Sequence, residues 1–200
     1  MGDASTRETR EPRETRELVL AARSRGAIGE AAFGELIRRY ERTALALAYA
    51  TLGGDASAAG DVVQDAFLRA WQRLDELNEP DRFAAWLGRM VKNLAIDARR
   101  RTPRMEMRGD LSDVDRPSQS ESASDPSREL DQRETQARID QALTKLDEQT
   151  RTAVVLRYYE NLSSKQIGEM LDLSPAAVDM RLSRARVELR ERLRELVSRI

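Results

Sequence analysis

Seven basic side chains fall between Arg89 and Arg108, namely Arg89, Lys92, Arg99, Arg100, Arg101, Arg104 and Arg108, against Asp97 and Glu106. A second run, Arg181, Arg184, Arg186, Arg190, Arg192, Arg194 and Arg199, fills the end of the chain. Cationic groups at this density attract polyanions, and arginine suits both a phosphate and the paired acceptors of guanine. Between the two runs the sign reverses, from Asp110 to Glu134, so the formal net charge is only -1 while each basic segment keeps its local attraction. The chain contains neither histidine nor cysteine. That removes disulfides, thiol nucleophiles, thiolate or imidazole metal sites and the commonest general base. With no clustered acidic site either, the residue types point to binding rather than catalysis, with no metal, no cofactor and no small-molecule substrate.

Helices must position these groups. Val62, Val63, Ala66, Phe67, Ala70 and Leu74 recur at the three-and-four spacing of a helix with one buried face. Asp55 or Ser57 can cap this helix, which is expected to reach about Leu77. Asn78-Glu79-Pro80-Asp81 then leads into a basic helix, with Pro80 in its first turn. Phe83, Trp86, Leu87, Met90, Val91, Leu94 and Ala98 line one side of it, and Thr102-Pro103 ends it. Upstream, a short helix over Glu14 to Ser24 buries Leu18, Val19 and Ala22, and Arg25-Gly26 breaks it. A long helix from Glu30 to Leu52, apolar at Phe33, Leu36, Ile37, Tyr40, Ala44, Leu47 and Ala48, stops at Gly53-Gly54.

Hydrophobic residues make up 40% of the chain and charged residues 34%, with few aromatics, which favours an all-α fold. A length of 200 residues fits one domain or two small ones. Ser, Asp, Pro and Gln dominate from Gly109 to Ser127, too polar to offset ordering entropy, so the boundary falls there. The expected organisation is a disordered tail over 1–13, a helical domain over 14–101, an acidic flexible linker over 102–129 and a second helical domain over 130–200. No run of eighteen apolar residues predicts membrane insertion, and the mixed-charge N-terminus is not a secretory signal.

The second domain begins with apolar positions at Leu130, Ile139, Leu143 and Leu146, and restarts after Asp147 with Ala153, Val154, Leu156 and Tyr158. Ser163 and Gln166 form a capping box that opens a helix burying Ile167, Met170 and Leu171. Asp172-Leu173 makes a tight turn. Ser174 then caps, and Pro175 starts, a final helix whose inner face is Val178, Leu182, Ala185, Leu189 and Leu193. Two short helices joined by a tight turn, the second rich in arginine, make a helix-turn-helix.

Four blocks, DVVQDAFLRAW, FAAWL, KNLAIDARRR and SPAAVDMRLSRARVELRERL, resemble in order and spacing the extracytoplasmic-function class of bacterial RNA polymerase sigma factors. The resemblance runs from about Glu30 to Arg101 and from Glu134 to Arg194. It implies a sigma region 2 helical bundle and a sigma region 4 helix-turn-helix. The first would hold core RNA polymerase and open the minus-10 promoter element, and the second would read the minus-35 element as duplex. It further implies a cytoplasmic protein, promoter DNA as ligand and an anti-sigma factor as partner.

On this reading the outward residues Asp61, Gln64, Asp65, Arg69 and Gln72 dock on polymerase, whereas without the resemblance a solvated helix face would be the simpler account. The loop Leu77 to Arg82 would shape a pocket for a flipped base, with Asn78, Asp81 and Arg82 lining it, or Asn78 simply caps a helix. Phe83 and Trp86 suggest base stacking, but their periodicity assigns them to the core. Lys92, Asn93, Arg99, Arg100 and Arg101 can hold the minus-10 element. The helix dipole alone accounts for arginines at a helix end, at roughly 0.3–1 kcal/mol each, but not for Lys92 and Asn93. In the last helix Asp179, Met180, Ser183 and Arg184 face away from the core. Arg184 is the first candidate for base readout, and Arg181 and Arg186 for phosphates. Asp179 departs from the family pattern. It either accepts from cytosine N4 or complements the positive start of the helix.

Three other functions compete. A dimeric helix-turn-helix regulator leaves Asp61 to Arg101 unexplained and lacks an apolar dimerisation helix. A mimic that sequesters anti-sigma factor would be expected to carry a receiver domain. An enzyme lacks the side chains.

Overall fold

The computed structural model describes residues 14–101, 135 and 137–194. Among them are eight α-helices: α1 (14–23), α2 (Gly26–Leu52), α3 (Ala56–Gln72), α4 (Phe83–Arg101), α5 (137–144), α6 (Glu148–Tyr158), α7 (Ser164–Leu171) and α8 (Pro175–Arg192). The tail over 1–13, the linker over 102–129 and the expected start of the second domain, Leu130 included, lie outside the described residues. The fold is all-α, with a first lobe of α1–α4 and a second of α5–α8.

The first lobe is a bundle whose apolar stripes meet at Phe33, Leu36, Leu47, Phe67, Phe83 and Val91, all buried. Phe83 is fully buried against Tyr40, with ring centroids 5.5 Å apart, and Trp86 packs half-buried on Phe83 at 6.1 Å. Both aromatics therefore belong to the core, as their spacing predicted. Three boundaries differ from the sequence reading. Helix α2 starts at Gly26, four residues early, because the reversal is made by Arg25 and Gly26 at positive φ (59° and 63°). The Arg25 guanidinium then stacks 4.6 Å over Trp71 and donates to the Trp71 carbonyl at 2.9 Å. Helix α3, capped by Asp55, ends at Gln72 rather than near Leu77. The chain tightens there into a 3-10 turn over Leu74–Glu76 that still buries Leu74 and Leu77. Pro80 opens a second 3-10 turn, Pro80–Arg82, and α4 begins only at Phe83.

In the second lobe the local signals hold. Asp147 caps α6, Ser163 and Gln166 form the capping box of α7, and Ser174 caps α8 with Pro175 in its first turn. Between α7 and α8 Asp172 adopts a left-handed conformation (φ 61°), and the Leu173 N–H donates to the Gly168 carbonyl at 2.9 Å. A Cβ at Gly168 would sit 2.5 Å from the Leu173 carbonyl oxygen, so only glycine allows this reversal. Tyr158, expected inside, is 55% exposed at the end of α6. The inner side there is taken by Val154, Val155 and Leu156 instead.

The lobes are not independent. Helix α6 lies along the C-terminal half of α2, where Ala44, Ala46, Leu47, Ala48, Tyr49, Ala50 and Thr51 are all buried. Helix α7 packs on α4. One apolar cluster runs through both lobes.

Candidate nucleic-acid interface

Helix α8 is held from below by Val178, Leu182 and Ala185, all buried, against α6 and α7. That packing turns Met180, Ser183, Arg184 and Arg186 outward, and Met180 is 52% exposed. An arginine flanked by exposed neighbours on a helix supported along its whole inner face can enter a groove without unfolding anything. Asp179 is also exposed, but it already accepts a hydrogen bond from the Ser164 hydroxyl at 2.5 Å. This ties the start of α8 to the start of α7. Arg181 leans the other way. Its guanidinium lies 3.6 Å from the Asp147 carboxylate and 3.5 Å from the Thr150 hydroxyl, at the N-terminus of α6. Partial burial pushes the Asp147 carboxyl up, but hydrogen bonds from Thr150 and the Arg181 charge outweigh it and hold the group below the ordinary aspartate value.

In the first lobe, Asp61, Gln64, Asp65, Arg69 and Gln72 share the outward side of α3 and are all exposed. Leu68 stands among them, 56% exposed. The sequence reading passed over it, although it sits outside the i, i+3, i+4 stripe of α3, which is the signal for an outward apolar side chain. Beside it an open groove of about 450 Å³ between α2 and α3 is lined by Phe33, Ile37, Phe67, Leu68 and Trp71, with Glu30 and Glu41 as its charged members.

The loop from Leu77 to Arg82 is anchored at both ends. Leu77 and Pro80 are buried, and the Arg23 guanidinium donates to the carbonyls of Leu74 and Leu77. Asn78 is exposed between these anchors. It caps neither turn, since the Pro80–Arg82 turn is headed by Glu79 without a side-chain cap. Asp81 faces Arg16 of α1 at 3.7 Å, and Arg82 pairs with Glu79 at 2.7 Å.

On α4, Asn93, Arg100 and Arg101 are exposed. Lys92 and Arg99 are engaged by the second lobe. The Lys92 ammonium donates to the Leu171 carbonyl at 2.7 Å, and Arg99 pairs with Glu148 while approaching the Thr51 carbonyl at 3.4 Å. The two basic surfaces thus differ. That of α8 faces solvent, and that of α4 is partly covered. Among the described residues no cluster of three or more acidic side chains could hold a metal, and no helix is long and apolar enough to cross a membrane.

The Sigma-70 region 2 profile matches residues 36–105, and the Sigma-70 region 4 profile matches residues 136–189. The ECF RNA polymerase sigma factor SigW of Bacillus subtilis is 31% identical over 170 residues, covering 82% of this chain and 90% of that protein. This chain belongs to the ECF RNA polymerase sigma factors. The region 2 match takes in the later part of α2 with α3 and α4, and the region 4 match takes in α5–α7 and most of α8. The probable RNA polymerase sigma factor RfaY of Xanthomonas campestris is 34% identical over 162 residues, 81% of this sigma factor, which spans only 40% of RfaY. Among solved structures, that of CnrH in complex with the cytosolic domain of CnrY superposes with a TM-score of 0.65 at 31% identity, covering 91% of this chain and 98% of CnrH.

Proposed function

We propose that this sigma factor binds core RNA polymerase and directs it to specific promoters, contributing specificity and no catalytic step of its own. Region 2 docks on polymerase through the outward side of α3. There Leu68 supplies an apolar centre, and Asp61, Gln64, Asp65, Arg69 and Gln72 supply a polar rim that sets register. Asn78, Asp81 and Arg82, in the loop before α4, and Lys92, Asn93, Arg99 and Arg100, on α4 itself, take the minus-10 element. Asn78 projects from a fixed loop where its amide can read one base edge. Region 4 reads the minus-35 element with Arg184 on bases, Met180, Ser183 and Asp179 beside it, and Arg181 and Arg186 on phosphates. The observation that carries this reading is the capped, rigid helix-turn-helix presenting Arg184 to solvent, joined in one chain to a region 2 bundle. A partner of anti-sigma type is supported by the capture of CnrH with the cytosolic domain of CnrY, and that partner's location favours a cytoplasmic site of action. The test is run-off transcription. Core polymerase should initiate at discrete starts on genomic fragments only when the chain is present. A stable complex with core that never initiates at discrete starts would leave the chain a decoy for anti-sigma partners.

A further inference from the structure

The loop before α4 is held by a helix that the region 2 match does not take in. Helix α1 lies ahead of residue 36, where that match begins. It is seated on the bundle along its length. The Thr15 and Tyr40 hydroxyls share a hydrogen bond of 2.6 Å, the Arg39 guanidinium donates to the Glu14 carboxylate at 2.7 Å, and Val19 and Ala22 are fully buried. Its end is fixed as well. A Cβ at Gly29 would lie 2.8 Å from the Ala22 carbonyl oxygen, so the start of α2 closes directly on the end of α1. Three arginines reach from this seat to the segment between α3 and α4. Arg25 donates to the Trp71 carbonyl at 2.9 Å and to the Asp75 carboxylate at 3.2 Å. Arg23 takes the carbonyls of Leu74 and Leu77, and Arg16 faces Asp81 at 3.7 Å.

Arg23 differs from the other two in what its placement gives up. Its Nε is buried and has no hydrogen-bond partner among the described residues, while one terminal nitrogen serves both carbonyls. An unpaired buried donor is destabilising, and an apolar side chain of similar length would avoid it. The turn does not need the arginine at Leu74, whose carbonyl already accepts from the Leu77 N–H at 3.3 Å. What the guanidinium adds is a hold on Leu77. The Leu77 carbonyl and the Asn78 N–H belong to one planar peptide unit, so a donor on that oxygen orients the plane from which Asn78 departs. Two residues later the buried Pro80, with its restricted φ, sets the chain again. Asn78 and Glu79 are left exposed between these two constraints. An amide selects one base edge over another only while its direction is set, and direction is what a second, supporting contact supplies.

We propose that Arg23 is a positioning residue for base selection, which acts through the Leu77 carbonyl to fix the direction of the Asn78 side chain. This rests on the reading of Asn78 as a base contact. The two claims fail separately, because Asn78→Ala tests the contact and substitution of Arg23 tests its orientation. Arg23 itself meets no DNA. Its loss leaves the Asn78 amide present but free to turn, so preference among bases falls at one position while the contacts of α4 and α8 persist.

The test combines the full chain with core polymerase on promoters carrying each of the four bases at every minus-10 position, read as relative initiation. Asn78→Ala should flatten the preference at one position and so identify it. Arg23→Met keeps an apolar stem and removes every donor. It should lower the preference at that same position by about fivefold, the worth of one hydrogen bond out of register, and leave the other minus-10 positions and the minus-35 element unchanged. Arg23→Lys returns the charge and a donor, and should fall between Arg23→Met and the parent. With Asn78→Ala already in place, Arg23→Met should add nothing, since both act through one contact. Amide exchange on the full chain reads the hold directly. The Asn78 and Glu79 amides should exchange faster in Arg23→Met while those of α2 to α4 keep their parental rates, and parental exchange at Asn78 and Glu79 would overturn the proposal. A promoter profile unchanged by Asn78→Ala would remove the base contact, and the role of Arg23 with it. A profile altered by Asn78→Ala but untouched by Arg23→Met would overturn the positioning role alone, as would a loss spread evenly over all positions. If Arg23→Met does not fold, Arg23→Lys decides: a reduced preference confined to the Asn78 position supports the proposal, and a parental or evenly weakened profile overturns it.

Discussion

Arg184 and Arg186 of α8 face solvent, whereas the basic groups of α4 are divided, with Arg100 and Arg101 exposed and Lys92 and Arg99 engaged by the opposite lobe. The two surfaces have similar charge and similar helical spacing, so composition does not separate them. What separates them is what each helix packs against. Helix α8 is covered on its inner face alone, by α6 and α7, and its outer side is left as a reading edge. Helix α4 is covered by α2 and α3 on one flank and by α7 on another, so its polar side chains are apportioned between DNA and the neighbouring lobe. A basic helix is therefore available or withheld according to its tertiary partners.

The comparison can be broken first at the cores. Phe83→Ala empties the centre of region 2 and should cost about 3–5 kcal/mol in denaturant unfolding. Trp86→Ala, at a half-buried ring, should cost clearly less. Equal losses would mean that the α4 stripe is not oriented as described. The next effect tests the reading edge itself. Arg184→Ala should remove about 1–3 kcal/mol of discrimination at one minus-35 position, read as relative affinities across duplex variants. Arg186→Ala should weaken all duplexes alike and reduce the salt slope by about one unit. If the two variants behave alike, α8 binds phosphates without reading bases.

Smaller effects sharpen the contrast in local stability. Ser163→Ala removes one half of the capping box of α7 and should destabilise region 4 by about 1 kcal/mol, seen as faster amide exchange in α7 and α8. Asp147 acts at the cap of α6. Its carboxyl is held below the ordinary aspartate value, so its stabilising effect is fully present above the unfolded-state value near pH 3.9 and fades as pH falls through the lower folded value. Asp147→Asn should therefore lower stability near pH 7 and converge on the parent as pH falls below about 4, which flattens the acid limb of the unfolding profile. A loss of the same size at acid and neutral pH would contradict the assignment of that carboxyl as a charged cap.

How much of this was legible in the sequence divides along the same line. Caps and turns depend on residues a few positions apart, so Ser163 with Gln166, Asp172-Leu173, and Ser174 with Pro175 were readable and are found where expected. The core placement of Phe83 and Trp86 followed from period alone. Boundaries near the loop were not readable. Leu74 and Leu77 continue the apolar pattern after the helix has given way to a 3-10 turn, so periodicity overran the end of α3. The engagement of Lys92 and Arg99 was beyond reach, because their partners lie 79 and about 49 positions away across the linker. One signal was present and went unused. Around TALALAYATL the apolar residues encircle α2 instead of forming a stripe, the mark of a helix buried on every side. The residues proposed for polymerase share the outward side of α3, Arg181 turns from the outward residues of α8 toward Asp147, and Leu68 shows that a stripe-based reading discards outward apolar residues by construction.

The central claim is that one chain reads two promoter elements with two separate lobes on behalf of polymerase. Its most direct test is transcription by core polymerase with this sigma factor on a promoter library randomised across both elements, with transcript starts and their upstream sequences determined together. The two-lobe assignment predicts a bipartite consensus at fixed spacing whose upstream half alone degrades with Arg184→Ala and whose downstream half alone changes with Asn78→Ala. Starts without any upstream consensus, or a consensus altered in both halves by either substitution, would contradict it.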